Sequence, residues 1–274
     1  MKKIASFLVL LITVTNVVAQ TKDFLEVPAK ISEAKKNGNT KLADSLTNDY
    51  IDYYLFKLKF NELFTHENLQ FLNDYMRDTE SKEFKLFMDN RKSVNAILGM
   101  NKAEYVIRST IAKEYVPKTE YLENVSIDWG SLEKKIKKKF GSIGQEMLNG
   151  KQMIYYLTKK DYRNYSKYYV LYFKQALKRP EYFINDLTYH LVLKVDDLNI
   201  LRFACDTVMK YAMEEWYQTS HNAYDTYACL LYRTGRSDEA ILWEERALKY
   251  SKGSPNEKSF SMILLRMKKG EKLW

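Results

Sequence analysis

The sequence predicts an all-α protein built from stacked helical hairpins, and three observations lead there. Apolar residues recur at three-and-four spacing in almost every segment after Gln20. Alternation of period two never persists beyond a few residues. Helix breakers are scarce, with 9 Gly and 4 Pro in 274 residues, so helices joined by short loops are the economical reading.

Taken in order, the pattern places helices over 24–36, 40–58, 66–76, 81–97, 101–115, 130–140, 144–158, 161–178, 182–194, 197–215, 221–234, 237–251 and 256–268. Ser81, Ser131 and Ser237 stand where an N-cap is useful, and Gly38, Gly99 and Gly235 where a helix end needs positive φ. The segment VPKTEYLENVSIDWG, Val116 to Gly130, breaks the stripe and holds Pro117; Trp129 at its end reads as a buried hinge filler. It serves as the internal boundary. The expected organisation is a signal peptide at 1–19, an N-terminal helical region at 20–116, a connecting segment at 117–130, helical hairpins at 131–253, and a capping helix and tail at 254–274.

Lys2 and Lys3 precede the uncharged run ASFLVLLITVTNVVA, with Val17 and Ala19 at the small-residue positions before Gln20. That is the shape of a secretory leader cut after Ala19, and the run is shorter than the roughly 20 residues that cross a bilayer. A periplasmic or secreted chain with no stable membrane insertion is expected. The formal charge is +9, but a secreted chain rarely meets nucleic acid, and no nucleic-acid partner is expected. The lysine run at 134–139 reads as the wet face of a helix whose buried side carries Leu132, Ile136 and Phe140.

The clearest hairpin is NAYDTYACLLYRTGRSDEAILWEERALKY, Asn222 to Tyr250. Tyr224, Tyr227, Ala228 and Leu231 share one helix face; Ala240, Trp243 and Ala247 share a face of the next helix, and Gly235 makes the turn. The run GRSDEAI from Gly235, followed by Ala247 and Leu248, resembles a tetratricopeptide repeat, departing from it where Glu244 stands in place of the usual aromatic and where the Pro is delayed to Pro255. The resemblance implies a degenerate tetratricopeptide-like α-solenoid, clearest in the C-terminal half. Blurred copies align behind it: Asp196 at the turn with Leu201 and Val208, Lys160 with Tyr165 and Tyr172, and Gly38 with Ala43. From Ser254 a cap helix is expected, with Met262, Leu265 and Ile263 closing the stack.

A wider resemblance rests on Asn185, Asp186, Leu187 and Tyr189, then Val195 to Asp197, Tyr224 to Ala228, and Leu230 to Gly235. In that order they look like the helical tail that follows the thioredoxin domain in secreted bacterial thioredoxin-like proteins. Thiol exchange needs C-x-x-C, and the chain has only Cys205 and Cys229, so redox activity does not carry over. Cys205 and Cys229 lie on helices of successive hairpins. They could close a structural disulfide or stand as two separate buried thiols, the preferred reading.

No catalytic, cofactor or metal motif is visible. His66, His190 and His221 lack partners at zinc-like spacing, and GSIG at 141–144 fits no phosphate loop. Asp196-Asp197 and Glu244-Glu245 are adjacent on helices and point in different directions, so neither pair is a catalytic dyad. The stripe Tyr165, Tyr168, Tyr169 and Tyr172 reads as core. The expected function is a non-catalytic interaction module with a protein or peptide partner, accessory to a periplasmic thiol-redox or envelope pathway. The alternative is a small-ligand or glycan binder using aromatic surfaces.

Overall fold

The computed structural model describes residues 24–117 and 127–274. The expected leader at 1–19 and most of the expected connecting segment at 117–130 lie outside the described residues. Among the described residues there is no strand, and the chain is all-α. It divides into two compact units, 1–110 and 111–274.

The first unit holds α1 (Val27–Lys36), α2 (Thr40–Asp49), α3 (Phe60–Leu63), α4 (His66–Asp74), α5 (Lys82–Asp89), α6 (Arg91–Leu98) and the larger part of α7 (Lys102–Tyr115). α2 runs on through a π-turn, Tyr50–Tyr54, and a 3₁₀ turn, Leu55–Lys57, so the apolar stripe expected over 40–58 is met by mixed helix. The expected single helix at 81–97 is two helices. Asn90 breaks it at φ −118° and turns its side-chain amide back to the Leu86 carbonyl at 3.0 Å, the local competition with helix typical of Asn. The short α3 was not foreseen. Ile31, Ala34 and Ala43 form a small core between α1 and α2, with Phe71 and Tyr75 packed on it.

The unit is also held by charge. Glu83 has a fully buried side chain and binds Arg77 at 2.7 Å; Arg77 reaches Asp52 at 3.0 Å as well. Such a group must be paired, because a lone buried carboxylate costs several kcal/mol.

The second unit takes in the end of α7, α8 (Trp129–Thr158), α9 (Tyr162–Ala176), α10 (Ile184–Lys194), α11 (Leu198–Phe203), a π-turn at Ala204–Met209, α12 (Lys210–Glu215), α13 (His221–Arg233), α14 (Ser237–Tyr250) and α15 (Glu257–Lys268). α8 is kinked where Gly141 takes φ 61° and ψ −139°, which divides it between the two helices expected there. Its cap lies three residues earlier than expected: Asp128, not Ser131, is the cap, and its carboxylate accepts from the Ser131 N–H. Likewise Ser237 is the first helical residue of α14 and caps nothing, whereas Ser81 caps α5 through the Phe84 N–H. The lysines at 134–139 are exposed while Ile136 and Phe140 are buried.

Three hairpins close with one turn. At Gly38, Lys160 and Gly235 φ is 72°, 58° and 90°. In each, the N–H of that residue bonds the carbonyl three back (Lys35, Leu157, Tyr232), and the next N–H bonds the carbonyl five before itself (Ala34, Tyr156, Leu231), at 2.8–3.1 Å. This is the Schellman closure, which satisfies carbonyls the helix end leaves open. Asn39 and Asp161 then cap the following helix with their side chains; Asp197 does so after Asp196, where the turn itself is different. Five residues beyond each turn position lies a fully buried residue: Ala43, Tyr165, Leu201 and Ala240. Twelve beyond lie Tyr50, Tyr172, Val208 and Ala247, also buried.

The tyrosine stripe is core. Tyr165, Tyr168, Tyr169 and Tyr172 are all buried, and their hydroxyls are satisfied within the fold. Tyr165 donates to the Leu187 carbonyl, Tyr169 pairs with Thr188 at 2.7 Å, Gln152 donates to Tyr168, and the Glu181 N–H donates to Tyr172. α9 is thereby stapled to α10. The cap helix is rotated relative to expectation: Met262 and Leu265 are more than half exposed, and Phe260, Leu264 and Met267 are buried with Ile263 partly so. The stripe at i, i+4 and i+7 from Phe260 wins because it is the one that continues the core.

Candidate functional site

α10, α13 and α15 together border a cleft of about 360 Å³. α10 supplies Asn185, Asp186, Tyr189 and His190; α13 supplies Asn222, Asp225 and Thr226; Asn256, Ser259, Phe260 and Ile263 come from the start of α15. Its size falls in the range of small-ligand and side-chain pockets. Its lining is polar. The Asn256 amide donates to Asn222 Oδ1 at 2.8 Å, and Thr226 Oγ1 donates to the Asn222 carbonyl at 3.0 Å, fixing the wall between α13 and α15. The Asn185 Oδ1 is buried with no hydrogen-bond partner.

Asp225 is the residue that gives this cleft chemistry. It lines the cavity and yet is only 5% exposed. Its neighbour on the same helix face is Cys229, whose thiol lies 3.8 Å from Oδ1. Glu244 of α14 is fully buried, with its carboxyl against that of Asp225. Burial raises both carboxyls far above the ordinary range, and the charge of Asp225 raises Glu244 further. Such a pair holds on to a proton near neutral pH, because two buried carboxylates so close cannot both ionise cheaply.

The hairpin residues expected to pack are assembled around this site. Tyr224, Tyr227, Ala228, Leu231, Ala240 and Ala247 are buried in one continuous core. The rings of Tyr224 and Tyr227 meet Trp243 at 5.4 and 5.3 Å, and the Tyr224 hydroxyl donates to the Gln218 carbonyl. Ala240 and Ala247 let α14 lie close against α13, and Gly235 turns between them. Arg233 extends from α13 to the Val192 carbonyl and to Asp196 at 2.6 Å, tying this hairpin to the one before it.

Cys205 and Cys229, one reading of which was a disulfide, are free buried thiols in this structure. They have different neighbours: Arg236 donates to Cys205 Sγ at 2.9 Å, and Cys229 faces Asp225. Burial pushes the Cys205 thiol up to about 12 even though Arg236 opposes it, and Cys229 rises well above its ordinary value from burial and the Asp225 charge. Both therefore stay protonated, whereas the attacking form in exchange is the thiolate. His221 begins α13 with its ring 6.0 Å from Phe260, and His190 borders the cleft.

The sequence reading missed Asp225 and Glu244. The two acids stand on different helices, so no spacing along one helix brings them together. The available signal was Glu244 itself, standing at i+4 between Ala240 and Ala247 on a face that has to be buried.

No protein-family model, curated protein or solved structure matches the chain.

Proposed function

We propose that the 111–274 unit is a non-catalytic binding module of degenerate tetratricopeptide-like hairpins, which receives a protein or peptide partner in the cleft bordered by α10, α13 and α15. The observation that carries this reading is the origin of the lining. α10 and α13 are the first helices of two consecutive hairpins and α15 follows the second, so one face of successive first helices converges on a single polar cavity. Repeat folds bind through such faces because stacking leaves them continuous while the second helices are consumed in packing.

The leader-shaped N-terminus and the likeness to thioredoxin-protein tails support a place outside the bacterial inner membrane, with a partner from a thiol-redox or envelope pathway. Among the described residues no helix is long and apolar enough to cross a membrane. The polarity of the cleft also supports a second reading, a small polar ligand in the same cavity.

Ser259→Trp tests the main reading, since Ser259 is an exposed wall residue and an indole there fills the cavity without touching the core. Binding to a peptide array that disappears in this variant supports the proposal. Peptide binding unchanged by it, or found for small polar ligands only, contradicts it.

A further inference from the structure

We propose that the cleft recognises an organic cation, the ammonium or guanidinium of a lysine or arginine side chain on the partner, with the Asp225 carboxylate as its counter-ion. This rests on the cleft being the partner's seat, and it adds the chemistry of what is seated.

The balance of donors and acceptors points to a cation. Asp225 is almost wholly buried, and the groups against its carboxyl are a thiol, which is a weak donor, and a second acid, Glu244; no cationic side chain is among them. The charged side chains in the lining, Asp186 and Asp225, are both acidic. The nearest arginine on α13, Arg233, is committed to the Val192 carbonyl and Asp196. Asn185 Oδ1 is a further buried acceptor with no donor. Buried acceptors in excess are costly until something supplies hydrogens, and a cationic donor meets that need with charge as well as geometry. Tyr189 and Phe260 provide ring surface for the aliphatic stem and a face for the cation. In a chain of formal charge +9 this is a local reversal of sign, so it selects for the opposite kind of partner from the rest of the surface.

The empty cleft satisfies its acids differently, by keeping a proton on the Asp225 and Glu244 pair. A bound cation displaces that proton to solvent, so affinity rises with pH. The titratable groups around the pair and the cleft are Asp186, Tyr189 and His190 from α10 and Cys229 from α13; the lining residues of α15 do not titrate. A variant at Asp225 separates its contribution from that of the other groups.

The test is calorimetric titration of the full chain with a short capped peptide carrying Lys, its norleucine counterpart, and free 1,4-diaminobutane, at about pH 5.5 and about pH 8. The Lys peptide should bind about tenfold or more tighter than the norleucine peptide and gain about tenfold across that pH range. Asp225→Asn should remove both differences. Should that variant fail to fold, Glu244→Gln takes its place: with no second carboxyl to share the proton, the pH dependence of Lys-peptide binding should shift. Equal affinity for Lys and norleucine peptides, or a pH dependence untouched by both substitutions, overturns the proposal. Diaminobutane binding as tightly as the Lys peptide overturns the side-chain assignment in favour of a free amine. Peptide binding lost in Ser259→Trp but indifferent to Lys and to pH ends this inference alone; no peptide binding at all ends the cleft reading with it.

Discussion

Asp225 of α13 and Glu244 of α14 lie within reach of each other's charge inside one hairpin, and only Asp225 also borders the cleft. The hairpin gains nothing in packing from this pair. An aromatic at position 244 would fill the same space without desolvating a carboxyl. The pair is a local sacrifice of stability next to a cavity, the kind of placement found where a site rather than a core is being built.

The pair sets a pH dependence of stability with a definite sign. Both folded-state carboxyls are raised above their unfolded values, so the folded chain binds more protons over the interval between. Stability should therefore fall as pH rises from about 4 through neutrality. Glu244→Gln should flatten that slope and make the protein more stable than wild type on the alkaline side. Urea midpoints at a series of pH values would show it; a wild-type midpoint that climbs through this range in parallel with the variant would contradict it.

The stapling of α9 to α10 should appear as hydrogen-bond energy. Tyr169→Phe leaves Thr188 Oγ1 without its partner inside the core, and the loss should be about 1–2 kcal/mol. Tyr169→Phe with Thr188→Val should cost less than the single change, because it removes both polar partners together. Denaturant unfolding of the two variants measures the difference.

The shared turn predicts changes of opposite sign at equivalent positions. Lys160 occupies the left-handed region with a side chain, so Lys160→Gly should relieve strain and stabilise by up to about 1 kcal/mol. Gly235 occupies the same region, and Gly235→Ala should destabilise by about 1 kcal/mol. Thermal melts of both variants decide whether the turns are alike in energy as well as in hydrogen bonding.

In the first unit, Arg77→Met strips the counter-ion from the buried Glu83. A loss of about 3 kcal/mol is expected, with part of it recovered when Glu83→Gln is added. Limited proteolysis across 24–110 should report the weakening.

Much of the fold was legible because hairpin packing is encoded locally. Gly38 and Gly235 announce their turns, Asp161 and Asp197 sit one residue after the positions aligned with them, and the stripe of Tyr165, Tyr168, Tyr169 and Tyr172 repeats at helical spacing. Lys160 aligns with Gly235, and it has the positive φ that Gly235 has. The rest depended on what the helices meet. Asn90 breaks a stripe that looks continuous, through a side-chain bond to Leu86 that no periodicity reveals. Met262 and Leu265 lie outside although they are as apolar as Phe260 and Leu264, because the neighbouring hairpin decides which stripe is covered. The cleft was the least legible part, since its walls come from three helices and its acid pair joins two.

The most direct test of the central claim is amide chemical-shift mapping of the 15N-labelled chain as a binding peptide is added. A cleft that serves as the partner's seat predicts shifts concentrated at Asn185, Tyr189, Asn222, Asp225, Asn256 and Ser259, all abolished by Ser259→Trp. Shifts concentrated elsewhere on the chain, with these residues unmoved and Ser259→Trp without effect, would contradict it.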